Sequence, residues 1–260
     1  MFAAFGGIAS AALAVGFLWV PEERSARILP HFVSFATGAL LGAALLALLP
    51  QAMEGAGTAA AHRIGLALVV GLGVFFVIEK LVLWWHAQSR DEDARFDHAG
   101  GDHAGHDHGR DRASGVLVLV GDSIHNSLDG ILIAAAFLTS IPLGLVTTLA
   151  VAAHEIPHRV GDFAILVHAG LSRPRALLLN LATGLASVIG AVAAYYGLRQ
   201  AMGMLPYALA FAAAGFLYIA VAGLIPGLHR RADPRTSATQ VILIALGVAM
   251  IAWAERLTHR

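Results

Sequence analysis

Two short stretches decide how this chain reads: His125-Asn126-Ser127-Leu128-Asp129-Gly130 and His154-Glu155-Ile156-Pro157-His158. Each lies inside a long apolar run, roughly 115–138 and 143–168, and Thr139-Ser140-Ile141-Pro142 is the only break between the runs. The runs therefore predict an antiparallel helical hairpin. His125 lies about 15 residues before the break and Ile156 about 15 after it. At about 1.5 Å per residue both motifs reach the same depth, near the middle of a bilayer. Polar groups there are costly, and such residues mark an ion path or a reaction site.

The spacing indicates the chemistry. His125 and Asp129 are i, i+4, so they share a helix face, with Asn126 on its flank. His154 and His158 repeat that spacing, with Glu155 beside them. Imidazoles, carboxylates and an amide on two facing helices make a tetrahedral or octahedral pocket for a divalent transition ion. Pro157 lacks the N–H that would bond the Ala153 carbonyl, so a kink and a freed carbonyl are expected at this depth. The bland alternative is polar glue between helices. Four aligned metal-type ligands are more than glue requires.

Composition sets the rest of the architecture. With 58% hydrophobic residues, 13% charged residues and a mean hydropathy of +0.72, the chain reads as an all-α integral membrane protein, a single polytopic domain over residues 1–260. Eight spans are expected, at roughly 2–20, 32–50, 65–85, 115–138, 143–168, 176–198, 206–227 and 237–255. The first is a poor signal peptide, because no Lys or Arg precedes it. Connections 1–2, 3–4, 5–6 and 7–8 carry eleven arginines, whereas the opposite side carries only Arg63, Arg199, Arg256 and Arg260. Positive residues favour the cytoplasm, so both termini are expected outside and the 3–4 loop inside, in a plasma or inner membrane. The absence of cysteine excludes thiolate metal sites, and a net charge of zero leaves no basic footprint for nucleic acid.

Residues 87–114 are the one substantial polar stretch. They hold His98, His103, His106 and His108 in a Gly- and Asp-rich near repeat. This composition predicts a disordered cytoplasmic loop that captures metal loosely; the alternative is a plain solvated linker. Asp122 precedes His125 by three residues and Asp162 follows His158 by four, which makes them steps of an exit path on the cytoplasmic side, or else helix–helix hydrogen-bonding groups. Glu79 is expected to partner Lys80, Asn180 is a candidate group behind the ligands, and the last span reads as plain apolar helix with Trp253 at its outer end.

The His-Asn-x-x-Asp-Gly and His-Glu-x-Pro-His motifs resemble the fourth- and fifth-span signatures of the ZIP (Zrt/Irt-like) family of divalent metal transporters. The resemblance implies a ZIP-like eight-helix bundle with a metal site, or a pair of sites, midway along a pathway. By that resemblance His125, Asp129, His154 and His158 form the first site, and Asn126 and Glu155 belong to the second, with Asp129 and His158 as candidates to be shared by both. It further implies a homodimer and an elevator-like carrier. No cofactor is expected: the divalent ion is the substrate, Zn²⁺ foremost, with Fe²⁺, Mn²⁺, Cd²⁺ or Co²⁺ of the same class. Where the family motif continues with Glu after the second His, this chain has Arg159. Arg159 lies four residues after Glu155 and three before Asp162, and a guanidinium at this depth requires a carboxylate.

Two other classes compete. His154-Glu155-x-x-His158 with Asp129 also fits an intramembrane zinc metalloprotease, with Glu155 activating water. Against it stand the Leu128-Asp129-Gly130 order, the proline inside the motif and the surplus ligands His125 and Asn126. The other is a metal-sensing or storage protein built on the histidine tract. Transport fits these residues best, and no enzymatic activity is expected.

Overall fold

The computed structural model describes residues 22–57, 60–96, 107–229 and 233–258. Its regular structure is helical: α1 (Glu22–Gly42), α2 (Leu49–Ala56), α3 (Ala61–Phe96), α4 (Asp107–Thr139), α5 (Ile141–His168), α6 (Arg173–Gln200), α7 (Leu205–Tyr218), α8 (Ile225–His229) and α9 (Pro234–Thr258). The expected span at 2–20 lies outside the described residues, while each of the other seven is matched by helix.

Two spans are not plain α-helix. A π-helical stretch, Ala43–Leu48, joins α1 to α2, and another, Ile219–Leu224, joins α7 to α8. A proline lies just beyond each, Pro50 and Pro226. Proline cannot donate to the carbonyl four residues back and its ring crowds it, so the preceding turn widens. In α5, by contrast, the helix runs unbroken through Pro157.

The hairpin joining α4 and α5 is tight. Ser140 is extended, and its hydroxyl accepts from the Leu143 N–H at 3.2 Å, with Pro142 in the first turn. At its other end α5 stops at Gly170, with φ +84°, where the Leu171 N–H bonds the Leu166 carbonyl, a left-handed helix stop that glycine adopts without strain. The polar stretch differs from expectation at both edges. Residues 87–96 continue α3 and residues 107–114 begin α4, since Ala, Gln, Glu and Arg there are good helix formers. Residues 97–106, with His98, His103 and His106, lie outside the described residues; the backbone of His108 is in the first turn of α4.

The distribution of polarity is that of a membrane protein. Leu66, Leu178, Ile189 and Val241 are all more than half exposed, while Asp122, Asp129, Glu155 and Arg159 are buried. Among the described residues, five helical stretches are long and apolar enough to cross a bilayer: Arg27–Ala56, Ala61–Leu81, Arg173–Gln200, Met202–His229 and Pro234–Leu257. The helices α4 and α5 are not among them, because their acids and histidines lower the hydropathy of the middle of each.

Small residues set the helix spacing. A side chain on Gly130 of α4 would meet the Ser187 carbonyl of α6, and one on Gly190 would meet the Ser127 carbonyl. The two backbones therefore lie in direct contact, as small-residue interfaces allow. Gly38 against Ile244 does the same for α1 and α9. An alanine-rich core, with Ala39, Ala43, Ala47, Ala135, Ala212 and Phe216, fills the space between α1, α4, α5 and α7.

Candidate metal site

The hairpin brings the two motifs face to face. The Nε2 atoms of His125 and His154 lie 3.3 Å apart, and His154 Nε2 lies 3.2 Å from Asp129 Oδ2. His125 Nε2 is 3.7 Å from Asp129 Oδ2 and 3.8 Å from Glu155 Oε1. His125, Asp129, His154 and Glu155 thus converge as an N₂O₂ set. Ligands about 2.0–2.1 Å from a tetrahedral ion are separated by about 3.3 Å, so the two shorter edges already have the size of a zinc site. The Asp129 Oδ2 and Glu155 Oε1 atoms are buried without hydrogen-bond donors. The Nδ1 of His154 faces the Ala150 carbonyl at 3.3 Å, which leaves Nε2 free to bind a metal.

Two assignments change. His158, expected with His125, Asp129 and His154, instead joins Asp122 and Asp162, with Nδ1 2.9 Å from Asp162 Oδ2 and 3.6 Å from Asp122 Oδ1. Its ring stacks on that of His125, centroids 4.8 Å apart and planes 9° apart. The His158 nitrogen that faces the acids is thereby grouped apart from the His125, Asp129, His154 and Glu155 atoms. Glu155, expected in a second site, lies instead beside His125, Asp129 and His154.

Asn126 is held by protein groups at both ends. Its Oδ1 accepts from Arg159 Nη2 at 2.9 Å, and its Nδ2 donates to Asp122 Oδ1 at 2.7 Å. Its two amide hydrogens are both directed at Asp122, and its oxygen keeps one lone pair beyond the arginine bond. Arg159, 1% exposed, also pairs with Glu155 Oε2 at 2.8 Å and donates from Nη1 to the Asn180 carbonyl at 2.8 Å. The Asn180 side chain returns a bond to the Arg159 carbonyl at 3.0 Å. Gly184 makes room: a Cβ there would lie 3.1 Å from Arg159 Nη2. The guanidinium therefore fills the position beside Asn126 and Glu155 with a fixed positive charge.

Sequence spacing could not reveal the roles of Asn180 and Gly184, since both depend on how α6 packs against α5. It also missed Glu255. This residue of α9 joins Gln51, Ser140 and Val146 around a cavity of about 200 Å³ near the α4–α5 turn. Glu79 bonds the Tyr218 hydroxyl rather than Lys80, whose ammonium lies 5.7 Å from the centre of the Phe76 ring. Adjacent residues on a helix point in different directions.

A helical membrane protein with a buried set of metal ligands between two of its helices is built to hold or pass metal ions. A family model described as ZIP zinc transporter matches residues 88–254. The zinc transporter ZIP13 of Pongo abelii is 34% identical over 245 residues, covering 88% of this chain and 68% of that protein. Its Homo sapiens counterpart is 33% identical over 265 residues, covering 88% and 71%. The zinc transporter SLC39A7 of Rattus norvegicus is 41% identical over 147 residues, covering 54% and 31%. The chain belongs to the ZIP zinc transporter family. It is an integral membrane transporter of metal ions, not an enzyme, and the protease reading has no support.

Proposed function

We propose that the protein moves Zn²⁺ across the membrane into the cytoplasm, binding it between His125, Asp129, His154 and Glu155. The observation that carries this reading is the pair of 3.2–3.3 Å separations among His125, His154 and Asp129, which suit a tetrahedral ion bound by nitrogen and oxygen. Zinc is also the metal for which these relatives are named. Fe²⁺ is the next candidate, with Mn²⁺, Cd²⁺ and Co²⁺ behind it. The charge of the cluster suits a cation. Asp129 is uncompensated, and Glu155 offers one oxygen to the cluster while the other pairs with Arg159.

The arginine-rich connections support a cytoplasmic 87–114 loop, with both termini outside, in a plasma or inner membrane. Asp122 and Asp162 lie towards the start of α4 and the end of α5, which is that side, and make an exit path. The loop histidines His98, His103, His106 and His108 then meet the ion after passage. Uptake of a panel of divalent ions into proteoliposomes tests the reading. Zinc accumulation that is lost in His154→Ala is expected; unchanged uptake in that variant, at equal protein abundance, overturns it.

A further inference from the structure

The exit-side residues form more than a path. We propose that Asp122, His158 and Asp162 make a second divalent-cation station, able to hold an ion by itself, into which the first cluster discharges. The inference rests on the transport reading above.

Three observations carry it. First, the ligand atoms converge: one nitrogen of His158 and one oxygen from each acid lie within 4.8 Å of one another. Second, Asp122 is buried and keeps Oδ2 without a donor, while Asp162 Oδ2 faces the His158 nitrogen at 2.9 Å, so one unpartnered buried carboxylate oxygen borders the cluster. An unpaired buried oxygen is costly unless a cation or donor meets it. Third, no Lys or Arg pairs with either acid among the described residues, whereas in the first cluster Glu155 has Arg159. Two carboxylates and a neutral imidazole balance a divalent ion.

The stations are distinct yet coupled. The two ligand sets have no residue in common, and they meet where the rings of His125 and His158 lie side by side, centroids 4.8 Å apart, so the ion passes from one set to the other there. Access also differs: the His158 side chain is 38% exposed, against 1% for His154 and 2% for Asp129. His158 is thus the most exposed of the ligands of either station, with His125 at 18% and Asp162 at 13%. Asn126 ties them together, since Arg159 fixes its oxygen and thereby turns its amide donors onto Asp122. Asp122 is held with Oδ1 occupied and Oδ2 free.

The test is Co²⁺ binding by equilibrium dialysis to the purified full chain, with His98, His103, His106 and His108 changed to Ala. In that background His154→Ala/Asp129→Asn removes the first station. Co²⁺ should still bind, more weakly, and adding Asp162→Asn should weaken the residual binding by about tenfold or more, the scale on which even outer-shell changes act. Asp162→Glu should retain it. Monodisperse elution on gel filtration qualifies each variant. If the first-station variant folds but binds no Co²⁺, or if Asp162→Asn leaves residual binding unchanged, the second station is overturned while the first stands. If the background protein binds no Co²⁺ at all, the transport reading itself fails.

Discussion

Replacing Arg159 by Met separates the protein's own cation from the ones it carries. Arg159 is 1% exposed and holds Glu155 Oε2 at 2.8 Å, Asn126 Oδ1 at 2.9 Å and the Asn180 carbonyl at 2.8 Å. Removing one partner of a buried ion pair costs about 3–5 kcal/mol, because the other charge is left without compensation. The two lost hydrogen bonds overlap with that figure rather than adding to it, since all three contacts share one group. Equilibrium unfolding in mixed micelles with a chelator present should show this loss. In Glu155→Gln/Arg159→Met the stranded charge is gone, and about 2–3 kcal/mol should return as a coupling energy. Zinc in place of the chelator should stabilise Arg159→Met more than the unsubstituted protein, because Glu155 then has both oxygens for the ion. At a hundredfold excess over Kd, binding supplies about 2.7 kcal/mol. Two single effects that sum within about 0.5 kcal/mol, or an equal response to zinc in both proteins, would refute the reasoning.

His154→Ala or Asp129→Asn should lower zinc uptake by more than about tenfold, whereas changing all four loop histidines to Ala should lower it far less; comparable losses in proteoliposome uptake contradict the midspan site. Uptake at limiting metal should fall as the pH is lowered, because a metal must displace protons from the imidazoles of His125, His154 and His158 and protonated rings cannot ligate. A rate still rising through pH 5, with the pH gradient clamped, argues against histidine ligation. Gly130→Ala should destabilise the bundle by about 1–3 kcal/mol, since its Cβ meets the Ser187 carbonyl. Gly161→Ala, where a Cβ meets nothing within 4 Å, is the matched control, and equal yields of folded protein from the two variants would count against the close α4–α6 contact.

Much of this protein is determined by sequence alone. Apolar runs broken by Thr139-Ser140-Ile141-Pro142 define the hairpin, because a membrane permits only backbone that satisfies its own hydrogen bonds. The i, i+4 spacing of His125 with Asp129 identifies metal chemistry, because helix geometry puts these residues on one face whatever surrounds them. The proximity of Arg159 to Glu155 follows from the same rule. The tertiary structure decided how the ligands are partitioned. His158 sits four residues from His154 and satisfies the same local rule, yet its ring lies flat on His125 and turns its nitrogen to Asp122 and Asp162. The fate of Asn126 depends on a guanidinium from α5 that is anchored on the Asn180 carbonyl and seated against Gly184 of α6. Spacing along one helix fixes which residues share a face. The contact of that face with two others, at distances set by Gly130 and Gly190, fixes which atoms meet, and no one-dimensional pattern encodes that separation.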